Sequence, residues 1–149
     1  MNSGYEKQVA ELSKLWHGML IASDYKNIEQ KFSRIQGLST TEIAVLSLVA
    51  QNEEIILKEI VMKLDIPKST LTNIINRLEK REFINRVISN RDRRSCGLKL
   101  TEEGNLAQKE HIEFEKTVYG KIIMALNNEE REELLELMRK IVQGMQKQL

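Results

Sequence analysis

Residues 67–101 read PKSTLTNIINRLEKREFINRVISNRDRRSCGLKLT, and this stretch decides the fold. It holds nine cations (Lys68, Arg77, Lys80, Arg81, Arg86, Arg91, Arg93, Arg94, Lys99) against three acids (Glu79, Glu82, Asp92), a formal +6. The whole chain of 149 residues is +1, so the remainder sums to −5. Charge gathered on one segment of a near-neutral chain points to a surface for a polyanion, nucleic acid above all. The alternative is a solvated helix and charged turn.

Pro67 fits the first turn of a helix, where a preset φ helps and a missing N–H costs nothing. Behind it Leu71, Ile74, Ile75 and Leu78 recur at helical spacing and predict a buried stripe. The opposite side shows Lys68, Ser69, Thr70, Thr72, Asn73, Asn76 and Arg77. A merely solvated helix favours Glu and Lys, whereas Ser, Thr and Asn are mediocre helix formers. Short hydrogen-bonding side chains flanked by cations suit base edges and phosphates in a major groove. After Phe83 the period changes. Ile84 to Ser89 is rich in β-branched residues, and Gly97 to Leu100 can pair with it across Asn90-Arg91-Asp92-Arg93-Arg94-Ser95. Such a tip, with Asp92 orienting one guanidinium, suits a narrow minor groove.

Upstream, Asp65 stands where a tight turn must reverse the chain, since Asp tolerates left-handed backbone. A helix over about 57–64 precedes it and presents Ile60, Val61 and Leu64 inward, with Ile55-Ile56 as a short strand before that. Ser39 and Glu42 have capping-box spacing, so another helix starts near Thr40 and carries Ile43, Leu46, Val49 and Ala50. Helix, tight turn, polar-faced helix and basic hairpin together form a winged helix-turn-helix. The predicted fold class is therefore mainly α with a small β-hairpin wing.

The flanks are helical. Tyr5, Val9, Leu12, Trp16 and Met19 lie on one stripe, widened by Leu15, Leu20 and Ile28, which predicts one long helix over 4–33. Thr101 is the expected N-cap of a helix running through Leu106, Phe114, Val118, Ile122, Ile123 and Leu126. Asn127 with Glu130 opens a last helix carrying Leu134, Leu137, Met138, Ile141, Val142, Met145 and Leu149. Apolar faces this wide need cover, from each other or from a second subunit. The expected organisation is a dimerisation region over 4–36 and 104–149 around a DNA-binding region over 38–101.

Several classes are excluded. No apolar run approaches the roughly 18 residues of a membrane span, and no secretory signal is recognisable, so a cytoplasmic protein without membrane contact is expected. Cys96 is the single cysteine and the two histidines, His17 and His111, lie far apart, so no metal site or other cofactor is expected. There is no glycine-rich phosphate loop, and no nucleophile has a recognisable base partner, which argues against an enzyme.

In order and spacing, these segments resemble the MarR family of winged-helix transcription regulators: LSTTEIAVLSLVA, LKEIVMKLDIPKSTLTNIINRLEKREFI, RDRRS, LKLTEEG and LNNEEREELLELMRKI. The resemblance implies a homodimer that binds a near-palindromic operator on double-stranded DNA, typically as a repressor released by a small aromatic ligand or by oxidation. It implies groove-facing roles for Lys68, Ser69, Thr70, Thr72, Asn73 and Asn76, and phosphate contacts for Ser39 and Arg77. Arg94 is similar to the family's minor-groove arginine, braced by Asp92, with Arg91 and Arg93 adding phosphate attraction. An effector would meet Trp16, His17, Met19 and Ile43. Cys96 lies outside the first helix, where oxidation-sensing relatives carry their thiol, so a packing role is expected for it. Three positions depart from the pattern: Ser89-Asn90 at the start of the wing motif, Glu82 for a common glycine, and Ile56 for a polar N-cap. The competing function is a winged helix used for protein interaction, without operator preference.

Overall fold

The computed structural model describes residues 3–147, so Leu149 lies outside the described residues. The order is α1 (Ser3–Ala22), α2 (Tyr25–Gln30), α3 (Thr40–Gln51), α4 (Leu57–Leu64), α5 (Lys68–Lys80), β1 (Ile84–Ile88), β2 (Cys96–Leu100), α6 (Glu102–Met124) and α7 (Asn128–Gln146). Two compact units result, Glu29–Phe114 and a terminal unit from Met1–Ile28 and Glu115–Leu149.

In the first unit the core is made by Val45, Leu46 and Val49 of α3, Ile60 of α4, and Leu71, Ile74, Ile75 and Leu78 of α5. Ile35, Ile55, Phe83, Ile84, Leu98, Ala107 and Phe114 complete it. Burying one such Leu or Ile side chain contributes roughly 1.5–3 kcal/mol, which explains why the apolar stripe of α5 fixes the direction of its polar face. Ala50, at the end of α3, is exposed.

Each turn has a local cause. Ser39 Oγ accepts from Glu42 N at 3.1 Å while the Glu42 carboxylate accepts from Ser39 N at 3.0 Å, a complete capping box. Asp65 takes φ 49° and ψ 50°, the left-handed turn between α4 and α5. At Ile56, where a polar cap was wanting, Glu59 accepts from Ile56 N instead. Ile56 also bridges Gly97, so the expected short strand is a single bridge to β2, one residue pair from the tip loop.

The wing is an antiparallel pair in which Ile84 faces Leu100 and Ile88 faces Cys96. Glu82, in place of a glycine, nonetheless adopts φ 62°. Phe83 N donates back to Leu78 O, and Thr101 Oγ1 donates to Glu82 O, so the left-handed turn is held from both sides. The same Thr101 hydroxyl accepts from Gly104 N at 2.9 Å, as an N-cap should. Gly104 has a different cause: a Cβ there would lie 1.9 Å from Phe83 O. The Thr-Glu-Glu-Gly run thus starts α6 and lets it pass against the backbone that leads into the wing.

The expectation of one helix over 4–33 is corrected. α1 ends at Ala22, Asp24 turns left-handed at φ 56°, and α2 restarts with Asn27 Nδ2 donating to Asp24 Oδ1. The turn lets Ile28 be buried, whereas α1 itself buries no residue. α7 opens on the Asn127–Glu130 capping box and likewise buries none. No helix among the described residues is long and apolar enough to cross a membrane.

Candidate nucleic-acid interface

α5 carries Lys68, Ser69, Thr70, Thr72, Asn73, Asn76 and Arg77 on its exposed side, all seven open to solvent. Their hydrogen-bonding capacity is unequally committed. Thr72 Oγ1 donates to Lys68 O at 3.0 Å, leaving its lone pairs outward. Asn76 Oδ1 accepts from Arg86 Nη2 at 2.7 Å. Asn73 makes no side-chain hydrogen bond among the described residues. Arg77 bonds Glu42 through Nε at 2.5 Å, and Glu42 is buried, so this cation neutralises the capping-box carboxylate. Ser39 stands at the N-terminus of α3, exposed, with its hydroxyl already accepting from the helix.

At the wing tip the structure changes the expected brace. Asp92 does not hold a guanidinium: its Oδ1 accepts from Arg94 N at 3.0 Å and its Oδ2 from Ser95 Oγ at 2.9 Å. These bonds, the backbone one first, hold the Asp92 carboxyl below the usual carboxylate range. Ser89, where the family motif carries an acid, is buried and its hydroxyl accepts from both Arg91 N and Asp92 N. The backbone of the loop is thereby fixed, and the side chains of Arg93 and Arg94 extend from it with no ion pair among the described residues. Arg91 is engaged: its Nη2 meets Glu59 Oε1 at 2.5 Å, tying the wing to α4. This bond holds the Glu59 carboxyl low and the Arg91 guanidinium high.

A hollow of about 320 Å³ is lined by Arg86, Val87, Ile88, Arg93, Arg94, Ser95 and Cys96. Arg93 and Arg94, with no ion pair among the described residues, make this concavity attractive to phosphate oxygens, whereas Arg86 in its wall is paired with Glu79. Arg86 belongs to the site and was missing from the sequence-derived set. Its Nε pairs with Glu79 at 2.7 Å while its Nη2 reaches Asn76. The signal was weak because the angle between α5 and β1, not sequence spacing, brings these residues together.

The candidate effector residues fall in both units. Trp16, His17 and Met19 lie on α1, where Trp16 is half exposed and the His17 ring lies 2.7 Å from Ser13 O through Nδ1. Ile43 is half-buried on α3, in the other unit. Cys96 is a free, half-buried thiol. No cluster of three or more His, Cys, Asp or Glu residues among those described could hold a metal ion.

The sequence profile described as the MarR family matches residues 38–96, the span from the start of α3 to the wing. Among curated proteins, the transcriptional repressor MprA of Escherichia coli (strain K12) is 31% identical over 114 residues, covering 75% of this chain and 65% of the relative. The HTH-type transcriptional repressor MdtR of Bacillus subtilis (strain 168) is 26% identical over 109 residues, covering 73% and 70%. In fold, the chain is similar to Streptococcus pneumoniae FabT, solved in complex with DNA, at a TM-score of 0.76 and 23% identity over 97% of this chain and 99% of that one. The helix-turn-helix and the wing tip thus lie in the segment, residues 38–96, that matches the MarR family, in a chain whose named curated relatives are transcription repressors.

Proposed function

We propose that the protein is a homodimeric repressor that reads a near-palindromic operator, with α5 in the major groove and the wing tip in the adjoining minor groove. The observation that carries this reading is the exposed Ser/Thr/Asn face of α5 beside a braced loop whose Arg93 and Arg94 make no ion pair among the described residues. Lys68, Ser69, Thr70, Thr72, Asn73 and Asn76 face the bases. Ser39, Arg77 and Arg93 serve phosphates, Arg94 enters the minor groove, and Asp92 holds the loop. Arg91 contributes charge from its place against Glu59.

A second copy is supported by the apolar residues that α1 and α7 leave exposed, among them Tyr5, Leu12, Leu137 and Ile141. Two copies on a twofold axis would address half-sites about 34 Å apart. Release by a small aromatic ligand, met first by Trp16, His17 and Met19, completes the proposal. Trp16 is the single tryptophan of the chain, so its fluorescence reports such a ligand directly.

Selection of bound sequences from random duplex DNA at physiological salt tests the reading. The expected product is an inverted repeat with half-site centres one helical turn apart, bound with strong salt dependence. Arg94→Ala should weaken binding and reduce the salt slope by about 1, while Asn73→Ala should cost about 1–3 kcal/mol of discrimination at one position per half-site. Absence of any enriched sequence would leave the protein-interaction module as the function.

A further inference from the structure

The polar face of α5 is wired differently at its two asparagines. Asn76 and Glu79 are three residues apart and so share one side of the helix. Arg86, paired with Leu98 in the middle of β1–β2, crosses to both of them. Its Nε meets Glu79 Oε1 at 2.7 Å and its Nη2 meets Asn76 Oδ1 at 2.7 Å. A guanidinium has only donors, so the atom of the Asn76 amide that faces it must be the oxygen; turning the amide over would set N–H against N–H. Glu79 fixes the fork and offsets its charge, which lessens the pull of phosphate on Arg86. The result is a carboxamide with its oxygen inward and its NH₂ group outward.

We infer that Arg86, held by Glu79, is a specificity-positioning residue that makes Asn76 read the major groove chiefly through its NH₂ donor. The inference rests on the DNA-reading role of α5 proposed above. Asparagine recognises adenine by using oxygen and nitrogen together, the oxygen accepting from N6–H and the nitrogen donating to N7. An oxygen that already accepts from a charged donor has one lone pair left and is the weaker acceptor for that two-point pairing. Asn76 therefore favours a base edge made of acceptors, guanine first, through its N7 and O6. Asn73, three residues earlier and with no side-chain hydrogen bond among the described residues, keeps both functions and is the adenine reader. Thr72, whose hydroxyl proton is given to Lys68 O, presents lone pairs and suits an adenine or cytosine amino group. The face thus offers an acceptor, a dual group and a donor at Thr72, Asn73 and Asn76.

The test uses sequence selection and titration with the full chain as wild type, Arg86→Leu, Arg86→Lys, Asn76→Ala and the double Arg86→Leu/Asn76→Ala variant. The position whose preference is lost in Asn76→Ala should carry guanine in the wild-type selection. In Arg86→Leu that position should move toward adenine by about tenfold, the order of one base-edge pairing. Arg86→Lys, which keeps the charge but not the fork, should move it in the same direction. In the double variant the shift should vanish. A uniform loss of affinity in Arg86→Leu, with preferences unmoved, would make Arg86 a phosphate cation and overturn the inference alone. A wild type that enriches no sequence would overturn the DNA-reading role and the inference with it. A readout without DNA separates the two: the Asn76 side-chain amide resonances of the free protein should shift on Arg86→Leu, and unmoved resonances would show that the clamp does not exist in solution.

Discussion

Helices α5 and α7 repeat apolar residues at the same three- and four-residue steps, yet α5 buries Leu71, Ile74, Ile75 and Leu78 whereas α7 buries no residue. In α7, Leu137, Met138, Ile141, Val142 and Met145 all stand exposed, as do Val9, Leu12 and Trp16 of α1. Amphipathic spacing therefore says that a helix has an apolar side, not that its own chain covers it. For α5 the cover is local, from α3, α4 and the wing, and the polar side is left exposed. For α7 the apolar side is what remains open, as expected of surface kept for another copy.

Truncating one residue from each stripe gives the largest contrast. Leu78 is fully buried, and Leu78→Ala should cost about 2–5 kcal/mol in denaturant unfolding. Ile141 is 59% exposed, and Ile141→Ala should change single-chain stability by no more than about 0.5 kcal/mol. In sedimentation the order should reverse: Ile141→Ala should shift the assembly toward single chains at micromolar concentration. An Ile141→Ala protein with undiminished self-association would break the comparison, because α7 would then be open surface and nothing more.

The glycines sharpen it at a smaller scale. Gly104 lies under the Phe83 carbonyl, so Gly104→Ala forces α6 or the wing base to move and should destabilise by about 1–3 kcal/mol, the usual cost of overpacking. A Cβ at Gly144 of α7 meets nothing within 4 Å. Gly144→Ala should therefore stabilise the helix by about 0.5–1 kcal/mol through propensity alone. If Gly144→Ala instead weakens self-association, Gly144 lies on the covered side and marks where a second helix approaches.

What the sequence made legible divides along the same line. Buried stripes, capping boxes at Ser39 and Asn127, the left-handed Asp65 and the hairpin are local events, decided within a few residues, and they were read from spacing and turn chemistry. The missing pieces depend on partners distant in sequence or on a single turn. One left-handed Asp24 broke a helix whose apolar spacing continued through it. Glu59 supplied the cap that Ile56 lacked and also took Arg91, two roles that only the approach of wing to α4 reveals. At the wing, the Asp92 carboxyl was expected to grip a guanidinium, but the Arg94 amide and the Ser95 hydroxyl lie closer along the chain and take both oxygens. Short loops satisfy their own backbone first, which is why Arg94 is displayed and not clamped.

That self-sufficiency sets the smallest and most local effect, the response of the wing to acid. The Glu59 carboxyl is held low by Arg91 and then by Ile56 N–H, and the Asp92 carboxyl by Arg94 N–H and then by Ser95. A carboxyl whose value is depressed by folding contributes stability above its ordinary range and loses it only as pH falls through the depressed value. The wing amides of residues 89–95 should therefore keep their NMR positions from pH 8 to 5 and move only once the pH has fallen below the ordinary carboxylate range. Because both braces lie inside one unit, the movement should not depend on protein concentration, unlike any titration of surface that a second copy covers. Asp92→Asn should remove part of the low-pH step while leaving α5 unmoved. Wing resonances that moved between pH 5 and 7, or only in dilute samples, would show that the wing leans on something beyond its own chain, and the contrast with α7 would fail.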